Sequence, residues 1–220
     1  MEVKNVSVMI GVPSTGGWKA RFGVCLAMLC AQLTQQRVSF AINSKESSLL
    51  PRARQELVDD ARKLGFDYLL FLDDDMIFPA SVFDDLVAHG KTIAAANCVV
   101  RSAQQPRFTA SRDGQFLNSA RLTGISQADK VGSAVMLLDL RNFGSDTGGL
   151  FEVPWDEAKK AYHGEDYTFC RKMREQGVAI WIDHDLSKKI GHIGSFVFEA
   201  TAADAYMAGK QDTPNAEVGA

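Results

Sequence analysis

The chain has 220 residues, 46% of them hydrophobic and 23% charged, with a formal net charge of −3 and a pI near 5.8. That length suits one substantial α/β domain, and the acidic balance argues against sequence-independent nucleic-acid binding, which needs a basic face. No apolar run approaches the ~20 residues of a membrane span. Met1 to Val6 carries mixed charge and runs straight into a strand, without a signal-peptide pattern, so a cytoplasmic protein is expected. The cysteines Cys25, Cys30, Cys98 and Cys170 form no C-x-x-C pair. They read as small buried hydrophobes in a reducing compartment.

Val6 to Val12 is an apolar run ended by Pro13, a first buried strand, and Ser14-Thr15-Gly16-Gly17 is a turn. From Trp18 to Leu33, Phe22, Leu26, Leu29 and Leu33 recur at helical spacing. Arg37 to Ile42 alternates as a second strand. Ser47 to Pro51 opens a helix running to Leu64, with Ala53, Leu57, Ala61 and Leu64 inward and Gly65 as its stop. Phe66 to Leu72 is a third strand that ends in Asp73-Asp74-Asp75. A helix over Pro79–His89 and a strand over Thr92–Val100 continue the alternation.

Residues 101–129 are rich in Ser, Gln, Arg and Gly and read as loops with room for a hairpin. Val131 to Leu138 is another strand, and Gly144 to Gly149 a flexible loop. A helix over Gly164–Gln176 stops at Gly177, strand Val178–Ile182 follows, and Ile190-Gly191-His192-Ile193-Gly194 returns near the end. The alternation implies an α/β fold, with a mixed, mostly parallel sheet and helices on both faces. One domain is expected over 1–200. The Ala-rich 201–220 segment is expected to form a last helix and a partly disordered tail.

Three adjacent carboxylates repel one another unless a positive charge sits among them. At a strand exit alternate side chains share a side, so Asp73 and Asp75 can converge on one Mg²⁺ or Mn²⁺, with Asp74 pointing elsewhere. The alternative is that they cap the next helix and face water. Asp166 heads a helical stripe with Phe169, Cys170 and Met173, as a cap or as an acid/base group. His192 is a metal-ligand candidate or a satisfied loop histidine, with His184 as its rival. Arg52 and Arg54 are solvated helix arginines or diphosphate contacts. Arg101, Arg107, Arg112 and Arg121 are solvated loop arginines or face an anionic acceptor. Gly132-Ser133-Ala134 is a packing choice or a place of close substrate approach.

The acidic run resembles the DxD motif of nucleotide-sugar-dependent glycosyltransferases of the GT-A fold. Gly164-Glu165-Asp166 with its following helix looks like the Glu-Asp motif of family 2 inverting glycosyltransferases. Leu50-Pro51-Arg52-Ala53-Arg54 resembles an Arg-Ala-Arg-Asn element of related bacterial and phage proteins, with Gln55 in place of the Asn. These short motifs span nearly the whole chain in the order that fold uses. The resemblance implies a GT-A-type Rossmann-like fold and a sugar transfer from a nucleoside-diphosphate donor, a UDP-sugar foremost. Asp75, Asp73 and His192 would hold Mn²⁺ or Mg²⁺. Asp73 and Asp74, with Pro13, Ser14, Thr15, Arg52 and Arg54, would meet the nucleotide. Asp166 would be the base, with Glu165 its alternate or an acceptor-hydroxyl ligand. The acceptor would be a glycan, protein, lipid or modified nucleic-acid base.

Asp73-x-Asp75 also satisfies a haloacid-dehalogenase-type phosphatase, but Ile77 and the motif's late position depart from that pattern. Gly11 to Gly17 does not match the glycine-rich signature of sugar nucleotidyltransferases, and no G-x-G-x-x-G follows a strand. A non-catalytic nucleotide-sugar-binding subunit would have no need of Asp166.

Overall fold

The structure, a computed structural model, describes residues 6–144, 148–194 and 197–211. Met1 to Asn5, Ser145-Asp146-Thr147 of the expected flexible loop and the tail 212–220 lie outside the described residues.

In chain order the first elements are β1 (Ser7–Ser14), α1 (Ala20–Gln36), β2 (Ser39–Glu46), α2 (Leu50–Lys63) and β3 (Tyr68–Leu72). Then come β4 (Met76–Ile77), α3 (Val82–Val87), β5 (Ile93–Ala96), β6 (Ser111–Arg112), β7 (Gln115–Phe116), β8 (Ile125–Ala128) and β9 (Val135–Asp139). The last are β10 (Trp155–Asp156), β11 (Ala161–Tyr162), α4 (Glu165–Glu175), β12 (Ile180–Asp183), α5 (His184–Ser187), β13 (Gly191–Ile193), β14 (Val197–Phe198) and α6 (Ala200–Gln211).

A 7-stranded sheet in the order β2-β1-β3-β9-β5-β12-β8 forms the centre. β1 lies parallel between β2 and β3, and β12 parallel to β5. β9 is wedged antiparallel between β3 and β5, and β8 closes the far edge antiparallel to β12. The expected mixed, mostly parallel sheet is therefore present. The late strand β9 sits at its middle, a placement that no local pattern announces.

Strand alternation sorts the core into two layers. Val8, Ile10, Leu70 and Leu72 pack with Phe22, Leu26, Leu29 and Leu33 of α1. Met9, Leu69 and Phe71 pack on the other face with Leu57, Val58 and Ala61 of α2 and Phe169, Cys170 and Met173 of α4. Gly11 shares that second face. A Cβ there would lie 2.9 Å from Leu69 Cδ1 and 3.4 Å from Leu57 Cδ1. α2 thus approaches the sheet closely because Gly11 has no side chain. Gly11→Ala is expected to destabilise the fold by about 1–3 kcal/mol, read as a lowered denaturant midpoint at constant slope. An unchanged midpoint would mean the layers can separate freely.

Several boundaries move. Pro13 lies inside β1, beyond the residues of β1 that pair with β3. Leu64 is 66% exposed because α2 ends at Lys63, and the chain reverses at Gly65 with φ +74°. Arg54, not Leu64, fills the inward stripe of α2. β8 forms within the segment expected to be loops, since Ile-Ser-Gln-Ala has almost no pattern and its pairing with β12 supplies the strand. α6 docks through Ala200 and Ala203 against Val99, Phe108 and Phe198. No helix among the described residues is long and apolar enough to cross a membrane.

Candidate active site

β3 is buried along its whole length and ends at Leu72, so the three aspartates emerge at the carboxyl edge of the sheet. Open α/β sheets bind ligands at that edge. A tight turn, with Met76 N–H on Asp73 C=O at 3.1 Å, leads into β4. β4 pairs with β13, setting His192 opposite Met76, and Ile193 N–H donates to Asp75 C=O at 2.8 Å. This small sheet carries a residue from the far end of the chain to the acidic turn.

A cleft of about 270 Å³ opens there. Its walls include Pro13, Ser14 and Thr15 from the end of β1, Lys19, the three aspartates, Arg101 and His192. A second hollow, about 310 Å³, lies at the start of β12 between Arg112 and Arg174. Those arginines pair with Asp113 and Asp129, and none of the acidic turn reaches it.

Each aspartate has its own setting. Asp74 accepts a hydrogen bond from Ser14 Oγ, and its carbonyl accepts one from Lys19 N–H. Burial, reinforced by Asp75 and Asp73, holds its pKa above the usual value despite Ser14. Asp75 places Oδ1 3.3 Å from His192 Nε2 and Oδ2 2.7 Å from Arg101 Nη1. Burial would raise its pKa, but the contacts with His192 and Arg101 outweigh it and hold the carboxyl below the usual range. His192 Nδ1 lies 2.8 Å from the Val99 carbonyl, which can only accept, so Nδ1 carries a proton. Nε2 is then the nitrogen aimed at Asp75. A backbone carbonyl of this kind orients many metal-binding histidines.

Of the three residues expected around a metal, the structure brings Asp75 and His192 together and turns Asp73 away. Asp73 offers both oxygens to Arg54, at 3.0 Å from Nη1 and 3.1 Å from Nη2. Among the described residues, no three His, Cys, Asp or Glu side chains gather into a metal cage of their own.

Arg54 is 2% exposed and lies over the Phe71 ring. A buried guanidinium must be compensated. Besides Asp73 it has Asp166 at 3.6 Å and Glu165 at 3.8 Å from Nε, and the Ser133 carbonyl at 3.5 Å from Nη1. Burial alone would lower its pKa, but the surrounding carboxylates raise it, so it stays charged. Ser133 Oγ donates to Asp166 Oδ1, and Ala134 C=O accepts from Asp73 N–H at 2.9 Å. The small-residue segment Gly132-Ser133-Ala134 therefore joins the acidic turn to the start of α4. The β10–β11 hairpin holds that start in place: His163 N–H donates to Pro154 C=O at 2.9 Å, one residue before Gly164. Asp166 has its pKa raised to about 6, chiefly by burial, with Glu165 adding and Arg54 opposing.

Other expected site residues lie elsewhere. Arg52 is on the solvent face of α2, its Nε 2.7 Å from Glu56, a helical pair one turn apart. His184 is 1% exposed and satisfied by Ser119 and Ser126, each at 2.8 Å. It is a core histidine. The four loop arginines do not form one patch. Arg107 lies over Phe116, Arg112 pairs with Asp113 and Arg121 with Asp204, while Arg101 alone reaches the cleft. Lys19 and the pairing of Arg101 with Asp75 were not foreseen; no motif marks them.

No family model and no curated protein matches the chain. Among solved structures it resembles A197 from STIV, at 13% identity and a TM-score of 0.54, over 86% of each chain. GalNAc-T7, crystallised with UDP, GalNAc and Mn²⁺, aligns at 14% identity and a TM-score of 0.49 over 87% of this chain and 44% of its own. A glycosyltransferase involved in glycosylation of the major capsid of PBCV-1 aligns at 9% identity and a TM-score of 0.36, over 62% of this chain and 60% of its own. At these identities the likeness is one of fold, and it rests on A197. The fold class is the expected α/β arrangement, a mixed sheet with helices on both faces, and A197 shares it.

Proposed function

We propose that the protein is a metal-dependent glycosyltransferase that moves a sugar from a nucleoside diphosphate, UDP foremost, to an acceptor hydroxyl. One observation carries this reading. Asp75 and His192 converge on one wall of a cleft at the sheet's carboxyl edge, and Arg54 links the adjoining Asp73 to Asp166.

Asp75 and His192 would hold Mn²⁺, or Mg²⁺ chiefly through the Asp75 carboxylate. An ion held there would supply a Lewis acid for the departing diphosphate. Pro13, Ser14 and Thr15 border the nucleotide's place, and Ser14 fixes Asp74 toward it. Asp73, locked to Arg54, closes the site's inner wall and is poorly free to act as a phosphatase nucleophile. Asp166 is the base. Ser133 occupies its Oδ1, so Oδ2 takes the acceptor proton. As the acceptor O–H breaks, its oxygen bonds to the anomeric carbon, and the sugar–phosphate bond leaves with its electrons on the nucleoside diphosphate. A single displacement of this kind inverts the anomeric centre. Glu165, the residue before it in α4, binds the acceptor hydroxyl.

Thermal-shift titration with UDP, GDP, CDP, ADP and dTDP, each with Mn²⁺ or EDTA, tests the donor side. One nucleotide is expected to raise the melting temperature only with Mn²⁺, since a ligand bound to the native state alone stabilises it by mass action. Asp75→Asn is expected to abolish that shift. A shift that persists in EDTA, or in Asp75→Asn, would remove the metal from this reading.

A further inference from the structure

Arg101 is the unexpected cation of the cleft. Its Nη1 lies 2.7 Å from Asp75 Oδ2, while Oδ1 of the same carboxylate faces His192 Nε2 at 3.3 Å. The arginine side chain is 50% exposed and the aspartate 11%. A guanidinium on a half-exposed stem, in the loop after β5, has room to move. We propose that Arg101 has two anionic partners in turn, the Asp75 carboxylate before the metal–donor complex binds and the donor's diphosphate afterwards. This rests on the proposed function, in which Asp75 is the carboxylate that holds the ion.

The physical argument is competition. A divalent ion on Asp75 brings two positive charges to the carboxylate that Arg101 already neutralises, and like charges at that range repel. The planar fork then needs another anion, and it matches phosphate oxygens in two parallel hydrogen bonds. Lys19 stands in the same cleft as a point charge, so the acidic turn is flanked by two cations that a diphosphate can bridge. Arg101 thus screens the acidic turn in the metal-free protein and grips the diphosphate in the loaded one.

The two roles predict effects of opposite sign from one substitution. Calorimetry with MnCl₂ alone, and then with inorganic pyrophosphate at saturating Mn²⁺, measures both on the whole protein. Arg101→Gln is expected to bind Mn²⁺ about two- to fivefold more tightly, because a half-exposed competing pair is gone. It is expected to bind pyrophosphate about tenfold or more weakly, because a charge-assisted contact is gone. Arg101→Lys, which keeps the charge without the fork, is expected to bind Mn²⁺ like the wild type and pyrophosphate more weakly than it. Unchanged or weaker Mn²⁺ binding in Arg101→Gln would overturn the competition, and unchanged pyrophosphate binding would overturn the transfer. Asp75→Asn separates the levels. If Mn²⁺ binds the wild type and not Asp75→Asn, a failure of the Arg101 variants falls on this inference alone. If Mn²⁺ ignores Asp75 or does not bind at all, the proposed metal site fails with it.

Discussion

Asp166→Asn is expected to lower the transfer rate by about 10²- to 10⁴-fold, the usual contribution of a positioned general base, while nucleotide and Mn²⁺ binding stay at wild-type strength. The amide is nearly the same shape as the carboxylate, so Ser133 and the start of α4 keep a polar partner at that position. What disappears is the group able to accept a proton. Asp75→Asn is expected to do the reverse, removing metal-dependent nucleotide affinity first. Calorimetry with UDP and Mn²⁺ beside single-turnover transfer separates the two, and equal loss of nucleotide affinity in both variants would sink the division of roles. The pH profile gives an independent check. With its pKa raised to about 6, Asp166 is protonated and inactive below that pH. The rate in wild type should therefore rise as pH climbs through about 6 and level off above it. A profile flat from pH 5 to 8 would point to a base of ordinary carboxylate pKa, with Glu165 the first to test.

Most of the sheet was legible in the sequence, because its parts are local. The apolar runs of β1 and β3 and the stripe Phe22, Leu26, Leu29, Leu33 state their periods openly, and all are buried as those periods require. Where strands go was less legible. β9 follows β8 in the chain yet is inserted between β3 and β5, a placement decided by tertiary packing. The short β8 has no periodicity to read, and α3 is only Val82–Val87 within a longer expected helix. The candidate site divides in the same way. Asp75 and His192 stand 117 positions apart in numbering, and what joins them is the pairing of β4 with β13. Their meeting was expected only from motif order. That Asp73 turns inward to Arg54 is not legible in the sequence, since an arginine on a helix rich in charged residues looks solvated. The clue, in hindsight, is spacing: Arg54 falls between Ala53 and Leu57 on the stripe that α2 buries.

Arg54→Met is expected to be the most damaging single change in stability. Methionine has nearly the reach of the arginine stem and fills the space over Phe71, so little packing is lost. The charge is what goes. Asp73 and Asp166, 22% and 25% exposed at their side chains, would face each other and Glu165 without a cation. Breaking a buried ion pair from one side typically costs about 3–5 kcal/mol. For a chain of this size that lowers the melting temperature by roughly 10 °C. The double variant Arg54→Met with Asp73→Asn should recover part of the loss, because it removes one of the stranded carboxylates; no recovery would show that the effect is one of packing. Arg54→Lys should sit between, as an ammonium restores the charge without the guanidinium's span across Asp73, Asp166 and Glu165. The same substitution also bears on the chemistry. Arg54 opposes the rise in the Asp166 pKa, so its loss leaves only the Ser133 hydrogen bond against burial, Glu165 and Asp73 and moves that pKa further above about 6. In any Arg54 variant that still folds, the rising limb of the rate profile should shift to higher pH. A shift to lower pH would mean that the guanidinium does not act on Asp166, and that the link between the acidic turn and the base is one of position alone.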